Sequence, residues 1–180
     1  MGAAYVHGVR DVRPDLVRSC VIDGCGAMSP DYVLHDMAET WATPERGERL
    51  MAALLRQPIA QRQAVYEGYG IGSAAAAEMA EAMNEDMGRC ILGIYRSLIP
   101  TLGDIALRLD GVTALPVLAI DATGDHFVPP ELNTDMARRL GTELLTLEGH
   151  GHWWMWTATD QAAGGLIEFW QRAGQERERT

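Results

Sequence analysis

The 180-residue sequence contains no lysine; all 15 of its basic residues are arginine. Schiff-base catalysis, pyridoxal-phosphate anchoring and the P-loop each need a lysine amine and are excluded. Positive charge is scarce altogether, because 25 Asp and Glu leave a formal net charge of −10. A surface that acidic repels phosphate backbones and anionic leaflets, so neither nucleic acid nor a membrane is an expected partner. Cysteine is nearly absent. Cys20, Cys25 and Cys90 are odd in number and form neither a CxxC pair nor a zinc-ligand spacing, which argues against a disulfide framework or a structural metal and for a reducing cytoplasm. No apolar run reaches membrane-span length, and the first residues lack the basic and apolar regions of a signal peptide. Met1-Gly2 opens like a myristoylation signal, but Val6 stands where that signal has Ser or Thr. Arginine and alanine richness points to a high-GC bacterial coding sequence.

What is present is enough apolar residue, 47%, for one packed domain. Helical patterning runs from Ala3 to Val12, and Val17–Ile22 reads as a short strand ending at Asp23-Gly24. From Ser29 to about Leu109 the texture is helical. Ser29-Pro30 and Thr43-Pro44 each set a capping hydroxyl before a proline, and Ser73–Met83 and Arg89–Leu98 carry apolar residues at helical spacing. Leu115–Ile120 is a continuous apolar run, the pattern of a strand covered on both faces. Pro130–Leu140 follows as an amphipathic helix, Glu143–Leu147 as a strand, and Thr157–Arg172 as a helix with Leu166, Phe169 and Trp170 facing inward. Residues 175–180 have no apolar anchor and are expected to fray. The fold class is α/β.

In a parallel sheet, ligands gather beyond the carboxyl ends of the strands. Three polar stretches fall there: Asp23-Gly24-Cys25-Gly26, then Asp121 with Gly124-Asp125-His126, then Gly149-His150-Gly151-His152 followed by Trp153-Trp154. The second offers a carboxylate and the third an imidazole, one helix and one strand apart. Brought to one sheet edge, they are the orienter and base of a catalytic triad: the carboxylate fixes the tautomer, and the imidazole takes a proton from a nucleophile. Read as a metal cluster, Asp125, His126, His150 and His152 are less well explained, because an H-x-H in a glycine-rich turn is mostly loop surface. Gly24-Cys25-Gly26 lacks the third glycine of a dinucleotide fingerprint. Cys25 has no activating histidine near it in sequence and reads as a structural thiol. Trp153, Trp154 and Trp156 either wall an apolar pocket or pack the last helix.

Pro116–Ile120, Asp125, Val128-Pro129 and Leu147-Glu148-Gly149-His150-Gly151-His152 together resemble the C-terminal half of an α/β-hydrolase. The family's acid and histidine positions match Asp125 and His152, with Asp121, Asp23 and His150 as alternates; Asp23 is among them because some members carry the acid after the preceding strand. Met1-Gly2-Ala3 is similar to the end of the nucleophile elbow G-x-S-M-G-[GA], and the helical stretch sits where the family has its cap. The resemblance implies a partial α/β-hydrolase fold: residues 1–28 starting the core, a helical cap over 29–110, the end of the core with two strands over 111–174, and a frayed tail over 175–180. It implies hydrolysis of a small hydrophobic ester or related acyl substrate, with no cofactor and no metal. The elbow serine would precede Met1, and Ser19, Ser29, Ser73 and Ser97 lack its flanking glycines. The chain is therefore expected to be truncated behind its nucleophile, through a start codon placed too far downstream, and to show little turnover alone. The alternative is a non-catalytic interaction protein that pairs, as a homodimer or with another chain, through the exposed edge of its first strand.

Overall fold

Val117–Ala122, apolar except for Asp121, is buried along its whole length, as a strand covered on both faces must be. It is the central strand, β2, of a three-stranded parallel sheet. Cys20–Asp23 (β1) and Glu143–Leu147 (β3) flank it in the order β1-β2-β3. Cys20 is in register with Val117 and Asp23 with Ile120, while Leu118 is opposite Glu143 and Ala122 opposite Leu147. The computed structural model describes residues 6, 8, 9, 12–102 and 115–178. Its helices among those residues are α1 (Asp36–Ala42), α2 (Arg46–Arg56), α3 (Ile59–Gly68), α4 (Ser73–Ala82), α5 (Glu85–Leu98), α6 (Pro130–Leu140), α7 (Trp154–Thr157) and α8 (Thr159–Glu178). None of them is long and apolar enough to cross a membrane.

The chain divides into two compact units, Met1–Tyr32 with Leu102–Thr180, and Val33–Thr101. In the first, strand pleating sorts side chains by parity. Cys20, Ile22, Val117 and Ala119 join Met136, Ala137 and Leu140 of α6 in one apolar cluster. Ile120 and Leu147 join Ala158 and Ala162, with Val21, Leu145, Trp154 and Leu166 against them, in another. α8 lies so close to β3 that a Cβ on Gly165 would come within 2.7 Å of Leu145. The second unit is helical. Glu48 of α2 holds Arg96 of α5 through two bonds of 2.7 and 2.8 Å, and Trp41 meets Tyr95 edge-on.

Several sequence expectations shift. β1 begins at Cys20 because Pro14–Leu16 forms a 3-10 turn. β2 begins at Val117 because Pro116 has no N–H for the ladder and offers only its carbonyl, to Cys20 at 3.0 Å. Neither expected proline cap holds. Ser29 closes the 3-10 turn Cys25–Met28 instead, and Thr43 donates back to the Glu39 carbonyl; α1 is capped by His35 Nδ1, which accepts from the Ala38 N–H. Trp170 is half exposed, whereas Phe169 is fully buried and Leu166 packs on the sheet. The last helix continues past Arg172 to Glu178, so the tail expected to fray is helical to that point. Of the helix expected over Ala3–Val12, residues 6, 8, 9 and 12 are helical and the rest lie outside the described residues, as do 103–109 of the helical stretch and the expected boundary at 110/111.

Backbone approach at Gly26 and open space at Gly164 make opposite expectations. A Cβ at Gly26 would stand 2.7 Å from the Asn133 nitrogen and 2.8 Å from the Leu132 carbonyl carbon, both backbone atoms, whereas Gly164 in α8 meets nothing within 4 Å. Gly26→Ala should cost about 1–3 kcal/mol through overpacking. Gly164→Ala should gain roughly 0.5–1 kcal/mol of helix propensity. Urea unfolding of the two variants beside the parent checks both signs.

Candidate active site

The loops that leave β2 and β3 at their carboxyl ends bring Asp125 and His152 together. In the first loop, Asp125 Oδ1 accepts the Phe127 N–H at 2.7 Å and the Val128 N–H at 3.4 Å, while its own N–H donates to the Ala122 carbonyl. This Asx turn leaves the other oxygen free for His152, whose Nδ1 lies 2.8 Å from Oδ2. Because an ionised carboxylate only accepts, Nδ1 carries the proton and the neutral ring keeps its lone pair on Nε2. The Asp125 side chain is 4% exposed and that of His152 40%. Phe127 and Trp153 meet the imidazole edge-on, at 4.9 and 5.5 Å between ring centroids.

The electrostatics follow from this packing. The hydrogen bond to Asp125 raises the His152 pKa above its ordinary 6.5; burial opposes the rise, and the charges of Asp125 and Asp23 add to it. Asp23, at the end of β1, is itself pushed up by burial and by Asp125, against the favourable influence of His152. The Trp154 indole N–H also stands near enough to favour the charged Asp23, although it falls short of a formed hydrogen bond.

The other sequence candidates sit elsewhere. Asp121 shares parity with Val117 and Ala119, so it points to the α6 side, where it is buried and accepts from Asn133 Nδ2 at 2.9 Å. Asn133 Oδ1 in turn accepts the Gly26 N–H at 2.8 Å. Burial raises the Asp121 pKa. His150 Nδ1 pairs with Thr157 Oγ1 at 3.0 Å, and His126 is exposed. Cys25 is buried, donates to the Asn133 carbonyl at 3.4 Å and has its thiol pushed up to about 12, so it holds no thiolate near neutral pH. Among the described residues, no three His, Cys, Asp or Glu side chains form a metal-ligand set. Trp154 packs beside Leu166, Trp153 lies against His152, and Trp156 is half exposed. Asn133, Phe127 and Thr123 build the site's surroundings and carry no sequence signal beyond the turn at Asp125-His126-Phe127-Val128.

The sequence matches no protein-family model and no curated protein. Solved structures do match. The 2-hydroxy-6-oxo-6-phenylhexa-2,4-dienoate hydrolase of a Rhodococcus species superposes with TM-score 0.67 at 17% identity, over 95% of this chain and 61% of that one. A meta-cleavage product hydrolase from Pseudomonas fluorescens gives 0.64 at 15%, over 95% and 62%. An alpha/beta hydrolase enzyme from a deep-sea metagenome library of the Medee basin gives 0.57 at 15%, over 94% and 62%. The chain carries part of the α/β-hydrolase fold. It spans about three fifths of the length of these α/β-hydrolases, and its three parallel strands with their flanking helices form a partial version of the fold.

The Asp125–His152 bond sets a pH signature. A histidine pKa raised on folding adds stability that is complete below about 6.5 and is lost as pH rises through the folded value. The raised pKa values of Asp23 and Asp121 have the same sign: they too withdraw stability as pH rises from the ordinary carboxylate value through the raised ones. NMR titration should place the His152 midpoint above 6.5. Asp125→Asn should move it downward, because the charge that favours the imidazolium is gone while burial remains.

Proposed function

We propose that Asp125 and His152 are the orienting acid and general base of a hydrolytic acyl-transfer site acting on a small hydrophobic ester or related acyl substrate. The observation that carries the reading is the 2.8 Å bond from His152 Nδ1 to a carboxylate held in its own turn, which leaves Nε2 as the basic nitrogen. In the proposed reaction Nε2 takes the hydroxyl proton of a nucleophile as its oxygen attacks the acyl carbon, and Asp125 stabilises the imidazolium formed. His152 then gives that proton to the leaving oxygen. In the second half it takes one from water as the water oxygen attacks the acyl carbon, and returns it to the nucleophile's oxygen as that oxygen's bond to the carbon breaks and the acid leaves. No serine within the 180 residues sits in a G-x-S-x-G turn, so this scheme takes its nucleophile from outside them. The same proposal has the protein act in the cytoplasm, without a cofactor and with neither nucleic acid nor membrane as partner.

Two expectations test it. The 180-residue protein alone should hydrolyse p-nitrophenyl acetate no faster than its His152→Ala variant. A chimera that fuses the nucleophile-bearing part of a solved hydrolase of this fold ahead of residue 1 should gain turnover. That turnover should be abolished by His152→Ala and reduced about 10⁴-fold in kcat by Asp125→Asn. Chimera activity indifferent to both substitutions would overturn the assignment.

A second reading is favoured by one observation, that among the described residues β1 ends the sheet with β2 on one side. An edge strand is a template for pairing, and a homodimer or a partner chain joined there would make this an interaction protein. Light scattering decides it: a dimer dissociated by Val21→Pro supports pairing, and a monomer at high protein concentration counts against it.

A further inference from the structure

Backbone pairing between β2 and β3 ends where Ala122 meets Leu147, with a last ladder bond from the Thr123 N–H to the Leu147 carbonyl at 3.2 Å. Beyond it the β3 chain turns at Gly149, whose φ is +74° and whose amide bonds a side chain instead of a backbone carbonyl. Two bonds nonetheless carry the two loops onward side by side. The Gly149 N–H donates to Thr123 Oγ1 at 2.7 Å, and the Gly124 N–H donates to the His150 carbonyl at 2.8 Å. A hydroxyl has one proton, and Thr123 Oγ1 gives it to Glu148 Oε2 at 3.1 Å, which leaves its lone pairs for the Gly149 amide. The approach is tight, for a Cβ on Gly124 would stand 3.0 Å from the His150 oxygen. Asp125 follows Gly124 directly, and His152 lies three residues past Gly149 in a stretch with glycines at 149 and 151. Such a stretch has little local preference for one path, so its course must come from what pins it.

We propose that Thr123 is a positioning residue for His152: its hydroxyl substitutes for the missing ladder acceptor and, with Glu148, fixes the His152 loop at the distance that lets Nδ1 reach Asp125. Asp125 needs no such help, because its own turn holds it. The two bonds of Thr123 are exposed, so water can replace them at little cost to global stability. Their effect falls on geometry, at the far end of the loop. The proposal extends the reading of Asp125 and His152 as acid and base, but the pair's geometry does not depend on any turnover, and the test is made on the 180-residue protein without a nucleophile.

The experiment is NMR titration of His152, with hydrogen exchange of the Gly149 amide and thermal unfolding, in Thr123→Val and Thr123→Ser. Valine keeps the shape and removes the hydroxyl; serine restores it. Thr123→Val should unfold within a few degrees of the parent, exchange the Gly149 amide faster and lower the proton affinity of His152 severalfold, while Thr123→Ser behaves like the parent. If Thr123→Val does not fold, Thr123→Ala, which also removes the hydroxyl that accepts the Gly149 N–H, carries the same test. A His152 titration unchanged in the valine variant while the Gly149 amide exchanges faster overturns the proposal. So does a serine variant shifted as far as valine. Either failure leaves the chimera assay of the acid–base pair unaffected, so the two readings fail separately.

Discussion

The hydrogen bond between His152 Nδ1 and Asp125 Oδ2 is the interaction to which the site's other features answer. Its two partners are 27 residues apart and come together because β2 and β3 are parallel neighbours in register, so that their carboxyl ends open at one edge. Parallel strands need a covered crossover, and α6 supplies it while burying the Val117 and Ala119 face. The Asx turn at Asp125, the edge-on rings of Phe127 and Trp153 and the glycine approach at 124 then narrow the pair to one geometry.

Two aspartates four residues apart illustrate how a strand assigns different work to like side chains. Asp121 falls inside β2 on the side facing α6, where Asn133 satisfies it and ties the Gly26 amide to the same helix. A buried carboxylate without such a donor would cost about 1–3 kcal/mol or more, so this brace holds the turn after β1 in place as well as keeping Asp121 in the interior. Asp125 lies beyond the strand, where its backbone is free to turn and its carboxylate can meet His152. The two share parity, so what separates them is the end of the strand at Ala122.

Much of this was legible in the sequence. β3 and α6 begin and end where periodicity and the Pro130 start signal put them, and the Gly-His-Gly-His stretch after a strand pointed to an imidazole at the sheet edge. What was misread had physical ambiguity. A hydroxyl before proline starts helices and turns alike, and at Ser29 and Thr43 the turn wins, while His35 caps α1 through a ring nitrogen that propensity rules do not weigh. Phe169 and Trp170 are adjacent and cannot both face inward on a helix, and the closely seated α8 presents Phe169 to the core and leaves its neighbour half exposed. Thr123 was not legible at all, because its bonds to Glu148 and Gly149 join residues about 25 positions apart and exist only after two loops are built.

The central claim is that the Asp125 carboxylate dictates the state of the His152 ring. The nitrogen-15 shifts of the imidazole in the neutral protein report this directly, since they distinguish a proton on Nδ1 from one on Nε2. The account requires the Nδ1–H tautomer in the parent protein and its loss in Asp125→Asn. A His152 ring that is Nε2–H in the parent, or whose tautomer is the same with and without the carboxylate, would contradict it.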